Sequence, residues 1–147
     1  MHRYTVELQI VGQDLNPEEV TRTLGLAPTQ VRRKGEPKVE GATSKWTTNM
    51  WAFEVLPQGR DDWSSLGDAL ASVLSTFGPL RDRLHAYSAA NQIYLWCGHF
   101  MSSFDGGPTF SPGLLKSLGD FGVQLVLDTY CERTDEVPTR STTTETR

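Results

Sequence analysis

The stretch Ile93-Tyr94-Leu95-Trp96-Cys97-Gly98-His99-Phe100-Met101 alternates between two apolar sets rather than between apolar and polar residues. In an extended chain successive side chains point to opposite sides. Ile93, Leu95, Cys97 and Met101 therefore share one face, and Tyr94, Trp96 and Phe100 share the other. A strand packed under helices on one side needs only one apolar face, so the second set of rings calls for an explanation. Two readings stand side by side. Either the strand is central and buried on both sides, or the rings stand on a bare sheet face among polar groups, as anchors of a protein interface do.

The flanking elements are legible from period and punctuation. Tyr4, Val6, Leu8 and Ile10 alternate with Thr5, Glu7 and Gln9, the pattern of a half-buried strand. After Gly12, Asn16-Pro17-Glu18-Glu19 reads as a helix start with Asn as N-cap, Pro at the first helical position and Glu19 placed for a capping box, and Gly25 ends the helix. Trp46 to Val55 is expected to be a strand with Trp51, Phe53 and Val55 on one face. Asp61 or Asp62 is expected to cap a helix whose Leu66, Leu70, Val73, Leu74 and Phe77 form an apolar stripe. Ser111-Pro112 opens another helix closed near Gly119, and Val123 to Tyr130 reads as the last strand. The runs Leu15–Gly25 and Phe110–Gly119 share the order cap, Pro, short helix, Leu-Gly. A repeated β-α unit of this kind favours one sheet with helices on one face.

Composition bounds the rest. With 147 residues the chain is long enough for one domain with its own core. Lys and Arg number 14 against 18 Asp and Glu, a net charge of −4, which argues against a dedicated nucleic-acid binder held by phosphate contacts. No apolar run approaches the roughly 20 residues that span a bilayer, and no secretory signal is visible, so a cytoplasmic protein with no membrane association is expected. Residues 1–131 are expected to form the single domain. Residues 132–147, with six threonines and Val137 as their one hydrophobic residue, are expected to be a disordered tail. The fold expected is α+β, about four strands in one sheet with about three helices mainly on one face, and the element order is compatible with a ferredoxin-like arrangement.

Candidate chemistry is sparse. Cys97 and His99 share a strand face and could form a nucleophile with its base, or half a metal site, but that face is the apolar one, which favours a small buried thiol and a histidine near the strand end. Cys131, His2 and His85 are scattered and no metal-ligand spacing is present, so neither a metal nor another cofactor is expected. Glu7, Glu54 and Asp128 all fall on the polar sides of strands and would line one open face if those strands were neighbours. The Arg32-Arg33-Lys34-Gly35 cluster lies in a long polar connection, Pro28 to Ser44, without the spacing of a phosphate loop.

Taken together, the Gly12 strand, the Asn16-Pro17-Glu18-Glu19 helix, Leu24-Gly25-Leu26-Ala27-Pro28-Thr29, Lys34-Gly35, Ser44-Lys45-Trp46 and the closing Leu114-Leu115-Lys116-Ser117-Leu118-Gly119 into Leu125-Val126-Leu127-Asp128-Thr129-Tyr130 resemble the domain-of-unknown-function 4279 family of small bacterial proteins. The resemblance runs from about residue 4 to 131, implies a small α+β domain, and carries no established catalytic residues.

Three functional expectations follow. The first is a non-enzymatic protein-interaction domain, such as an immunity protein that neutralises a toxin partner. Tyr94, Trp96, Phe100, Glu7 and Asp128 would form its contact surface, and its acidic charge would steer a basic partner. The second is a sensor of a small ligand or peptide in which the Pro28–Ser44 connection closes over a sheet-lined pocket, with Arg32, Arg33 or Lys34 supplying the anion contact and Trp46 the apolar wall. The third is an enzyme built on Cys97 and His99. No residue pattern sets the oligomeric state.

Overall fold

The computed structural model describes residues 1–132, in which five strands form one mixed sheet. The elements are β1 (His2–Gly12), α1 (Pro17–Leu24), β2 (Gln30–Arg32), β3 (Asn49–Glu54), α2 (Leu66–Phe77), a 3₁₀ turn (Gly78–Leu80), α3 (Arg81–His85), β4 (Gln92–Met101), α4 (Pro112–Phe121) and β5 (Gln124–Cys131). The sheet order is β2-β3-β1-β4-β5, with every neighbouring pair antiparallel except β4 and β5. The order β-α-β-β-α-β of the elements through β4, with β4-β1-β3-β2 across the sheet, is the ferredoxin-like arrangement. The α4–β5 unit extends it by one parallel strand.

β1 is the middle of the sheet, and its period-two pattern sorts the whole molecule into two sides. Tyr4, Val6, Leu8 and Ile10 are buried and stand opposite His99, Cys97, Leu95 and Ile93 of β4. Leu8 and Ile10 also stand opposite Phe53 and Trp51 of β3. These residues join Val20 and Leu24 of α1, Leu66, Leu70, Val73 and Phe77 of α2, Leu84 of α3 and Phe121 of α4 in one core cluster. All four helices thus cover the same face. The opposite face carries Arg3, Thr5, Glu7 and Gln9 of β1 beside Phe100, Gly98, Trp96 and Tyr94 of β4.

Local chemistry places the helix ends. Asn16 caps α1 by accepting from the Glu18 and Glu19 backbone N–H groups at 3.1 and 3.2 Å, and Gly25 closes it in the left-handed conformation at φ 69°. α2 is capped by Ser65, which accepts from Asp68 N–H at 3.2 Å, not by Asp61 or Asp62. The reason is tertiary: Trp63 exchanges both backbone hydrogen bonds with Tyr4 at 2.8 Å, which holds the chain against β1 at that residue, and Asp62 turns to Arg3 at 2.9 Å. α4 runs through Gly119 to Phe121, whose ring is buried, and Gly122 at φ 74° provides the stop.

Two further departures concern the connection between α1 and β3. Its residues Gln30–Arg32 form β2, an edge strand paired with Ala52 to Met50, which adds the fifth strand. The remainder folds back on itself: Gly35 N–H donates to Trp46 O, Trp46 N–H to Glu36 O and Lys38 N–H to Ser44 O at 2.8–2.9 Å. Trp46 to Thr48 therefore belong to this folded-back segment, and β3 starts at Asn49. The side chain of Asn49 accepts from Lys34 N–H at 2.7 Å and donates to Leu15 O at 3.0 Å, pinning the segment to the β1–α1 turn. Beyond the sheet, Glu132 N–H still donates to Met101 O at 2.8 Å, so this residue belongs with the ladder. The tail expected from 132 onward otherwise lies outside the described residues.

The Asn49 clamp yields a prediction. Asn49→Ala removes the hydrogen bonds to Lys34 and Leu15, of about 1 kcal/mol each, with a longer third to Gln13 O, and lets the 33–48 segment loosen. Hydrogen exchange should show the Lys34 and Trp46 amides losing protection while the Val6 and Leu95 amides keep theirs.

Candidate functional site

The face without helices carries the chemistry. Tyr94 and Trp96 of β4 are half-buried there, between Glu7 and Gln9 of β1 and Gln124, Val126 and Asp128 of β5. Together with Gln30 and Arg32 of β2 and Gln92 of β4 they line a concavity of about 640 Å³. Its floor follows from strand register. Trp96 stands opposite Glu7 and beside Val126, and Tyr94 stands opposite Gln9 and beside Gln124.

Hydrogen bonds fix these groups in place. Trp96 donates its indole N–H to Asp128 Oδ2 at 2.7 Å, and Gln9 donates its amide to Glu7 Oε1. Gly98 lets the rings lie down. A Cβ there would sit 2.7 Å from Thr5 Oγ1, 2.9 Å from Phe100 Cε2 and 3.1 Å from Trp96 Cη2, so the close approach of the rings requires glycine. Burial, with smaller contributions from Glu7 and Asp128, holds the Tyr94 hydroxyl above its usual range, although Arg32 pulls the other way. Burial and the charges of Glu7 and Asp61 likewise hold the Glu54 carboxyl above the usual carboxylate range. Glu7 and Glu54 are directly opposed across β1 and β3, an arrangement in which like charges repel.

The structure divides the residues singled out from sequence. Glu7, Trp96, Tyr94 and Asp128 meet in the concavity. Phe100 lies on the same face but outside it, stacked on Tyr130 with centroids 5.1 Å apart and under the Arg3 guanidinium at 5.6 Å. The basic cluster does not converge. Arg32 turns onto the open face, where its guanidinium lies 4.1 Å from the Trp46 ring centroid, with Lys38 Nζ at 5.2 Å from the same ring. Arg33 leaves in another direction and pairs with Glu18 on α1, and Lys34 is exposed. β2 ends at Arg32 and the chain turns at Lys34, so the three adjacent cations leave the sheet edge in different directions. Among the described residues Arg32 makes no ion pair, and its Nε is buried without a hydrogen-bond partner.

Gln30, Gln92, Val126 and Tyr130 were not singled out from sequence as part of this surface. Gln30 comes from a three-residue strand with no periodic signal, and Gln92 sits just ahead of the apolar run that marks β4. For Tyr130, the alternation Val126-Leu127-Asp128-Thr129-Tyr130 held the signal, since it places Tyr130 on the side of Asp128.

Cys97 and His99 point to the helix side. Cys97 is fully buried, and burial pushes its thiol up to about 12. His99 stacks on Tyr4 at 4.7 Å and shares a 2.9 Å hydrogen bond with His2 Nδ1. Burial, and secondarily His2, lower its pKa. The described residues contain no group of three His, Cys, Asp or Glu side chains able to hold a metal ion, and no helix long and apolar enough to cross a membrane.

A family model described as domain of unknown function (DUF4279) matches residues 2–132, and the chain belongs to that family. Comparison with the curated proteins and with the solved structures finds no match.

The two cysteines offer a test of this placement. Native protein treated with iodoacetamide at pH 7.5 should be alkylated at the exposed Cys131 and spared at Cys97 until denaturant is added. Rapid native labelling of Cys97, read by peptide mass spectrometry, would contradict its burial.

Proposed function

We propose that this family member is a non-enzymatic binding module that engages a protein partner through the open face of its sheet. The observation that carries the reading is the pair Tyr94 and Trp96, half-exposed on a face that none of the described helices covers and ringed by Glu7, Asp128 and glutamine side chains. Large rings held rigid by neighbours, with polar groups at their edge, have the composition of interface hot spots. Two features support binding rather than catalysis. The thiol nucleophile is held protonated in the core, and two of the three carboxylates Glu7, Asp128 and Glu54 are engaged in side-chain hydrogen bonds: Glu7 accepts from Gln9 and Asp128 accepts from Trp96. The three carboxylates and the net charge of −4 suit a basic partner, for which electrostatic steering raises the association rate. Neutralisation of a basic toxin by an immunity protein is the specific role that fits this chemistry.

A second reading, a sensor for a small anionic ligand or peptide, draws on one observation. Arg32 is held on Trp46 at the rim of the concavity with no carboxylate partner among the described residues, and about 640 Å³ falls in the range of small-molecule sites.

One pair of variants separates the two. Against the product of a neighbouring gene, Trp96→Ala should weaken binding by roughly thirtyfold or more in surface plasmon resonance, with an association rate that falls as salt rises. An unchanged Kd would remove the open face from the account. If the ligand reading holds instead, inorganic phosphate or acetylated acidic peptides should raise the melting temperature of the wild type and not of Arg32→Gln.

A further inference from the structure

The two edges of the sheet are protected unequally. At one edge β2 is three residues long and carries Arg32, the short, charged design that discourages pairing. At the other, β5 spans eight residues, Gln124–Cys131, with no proline and a single charged residue, Asp128. Its two leucines face the helix side and remain open, Leu125 at 40% and Leu127 at 42% exposure, next to Leu115 of α4 at 55%. These three belong to an apolar groove of about 360 Å³ between α4 and the edge.

The order of residues on β5 says what fits this edge. Gln124-Leu125-Val126-Leu127-Asp128 reads polar, apolar, apolar, apolar, polar from either end. An isologous contact requires a surface complementary to itself under a two-fold axis, and this segment satisfies that requirement. Antiparallel pairing centred on Val126 sets Leu125 opposite Leu127 of the second copy and Gln124 opposite Asp128 of the second copy. Each glutamine amide can then donate to a carboxylate. No like charges are opposed, and the backbone groups of the edge are satisfied. With the axis perpendicular to the sheet, the helices of both copies lie on one side and the apolar grooves merge.

We propose that the protein forms a homodimer through antiparallel pairing of β5 with β5 of a second copy, joining two five-stranded sheets into one. The apolar part of this contact, Leu115, Leu125 and Leu127, lies on the helix side, while Gln124, Val126 and Asp128 of the same strand also border the concavity around Trp96.

Sedimentation velocity of the full chain from about 1 to 100 µM tests it. The wild type should approach twice the 16.4 kDa chain mass, and its melting temperature should rise with concentration. Leu127→Lys, with circular dichroism checking that it is folded, should sediment as a monomer with a concentration-independent melting temperature. The exposed position Gln124 gives a signed second test. Gln124→Glu places like charges opposite Asp128 twice per dimer and should weaken association roughly two- to thirtyfold, while Gln124→Lys should strengthen it. A wild type that stays monomeric throughout overturns the proposal. So does a folded Leu127→Lys that remains dimeric, or a dimer indifferent to both Gln124 variants.

Discussion

The pairing of β1 on both of its edges is the constraint from which the rest of the structure follows. Hydrogen-bonded to β3 on one side and β4 on the other, β1 has no freedom to slip. A shift of one residue would carry Tyr4, Val6, Leu8 and Ile10 from the core to the bare face. Each such side chain contributes about 1.5–3 kcal/mol through burial, so the register is strongly set. The same alternation is transmitted through registered neighbours to Trp51 and Phe53 on β3 and to Leu95 and Cys97 on β4. Every helix then has only one apolar surface on which to pack.

The bare face is thereby released from the demands of packing, and its chemistry shows it. Glu7 and Glu54 oppose each other across two central strands, an arrangement that costs about 0.2–1 kcal/mol and contributes nothing to the core. Trp96 is tied to Asp128, and Gly98 leaves room beside its ring, where a Cβ would stand 3.1 Å away. Arg32 is stacked on Trp46 with its Nε unsatisfied. Side chains held rigidly by their neighbours lose little entropy on binding, which is the property the proposed role draws on.

The apolar alternation of β1 and β4, the stripe of α2 and the Asn-Pro and Ser-Pro helix starts were all visible in the chain, because each depends on residues within a turn or two of one another. The placement of Tyr94 and Trp96 opposite the core residues was visible for the same reason. β2 was not, since Gln30-Val31-Arg32 is a strand only by virtue of its pairing with β3. The start of α2 was displaced from Asp61 and Asp62 to Ser65 because Trp63 bonds to Tyr4, a residue far away in sequence. The adjacent cations Arg32, Arg33 and Lys34 suggested a single grip, yet β2 ends at Arg32 and the chain then turns, giving Arg33 to Glu18.

By itself the sequence determined which residues share a face, because period two and period 3.6 are properties of the local backbone and need no partner. It therefore settled the class of fold, the inward rows of β1 and β4, and the company Tyr94 keeps with Trp96. Only the tertiary structure decided that Glu7 and Asp128 flank the Trp96 strand, that Arg32 alone of the basic cluster reaches the open face, and that β5 is an edge with two leucines half exposed. Strand order is the reason. Neighbours across a sheet are chosen by contacts between residues tens of positions apart, and no local pattern in the chain encodes that choice.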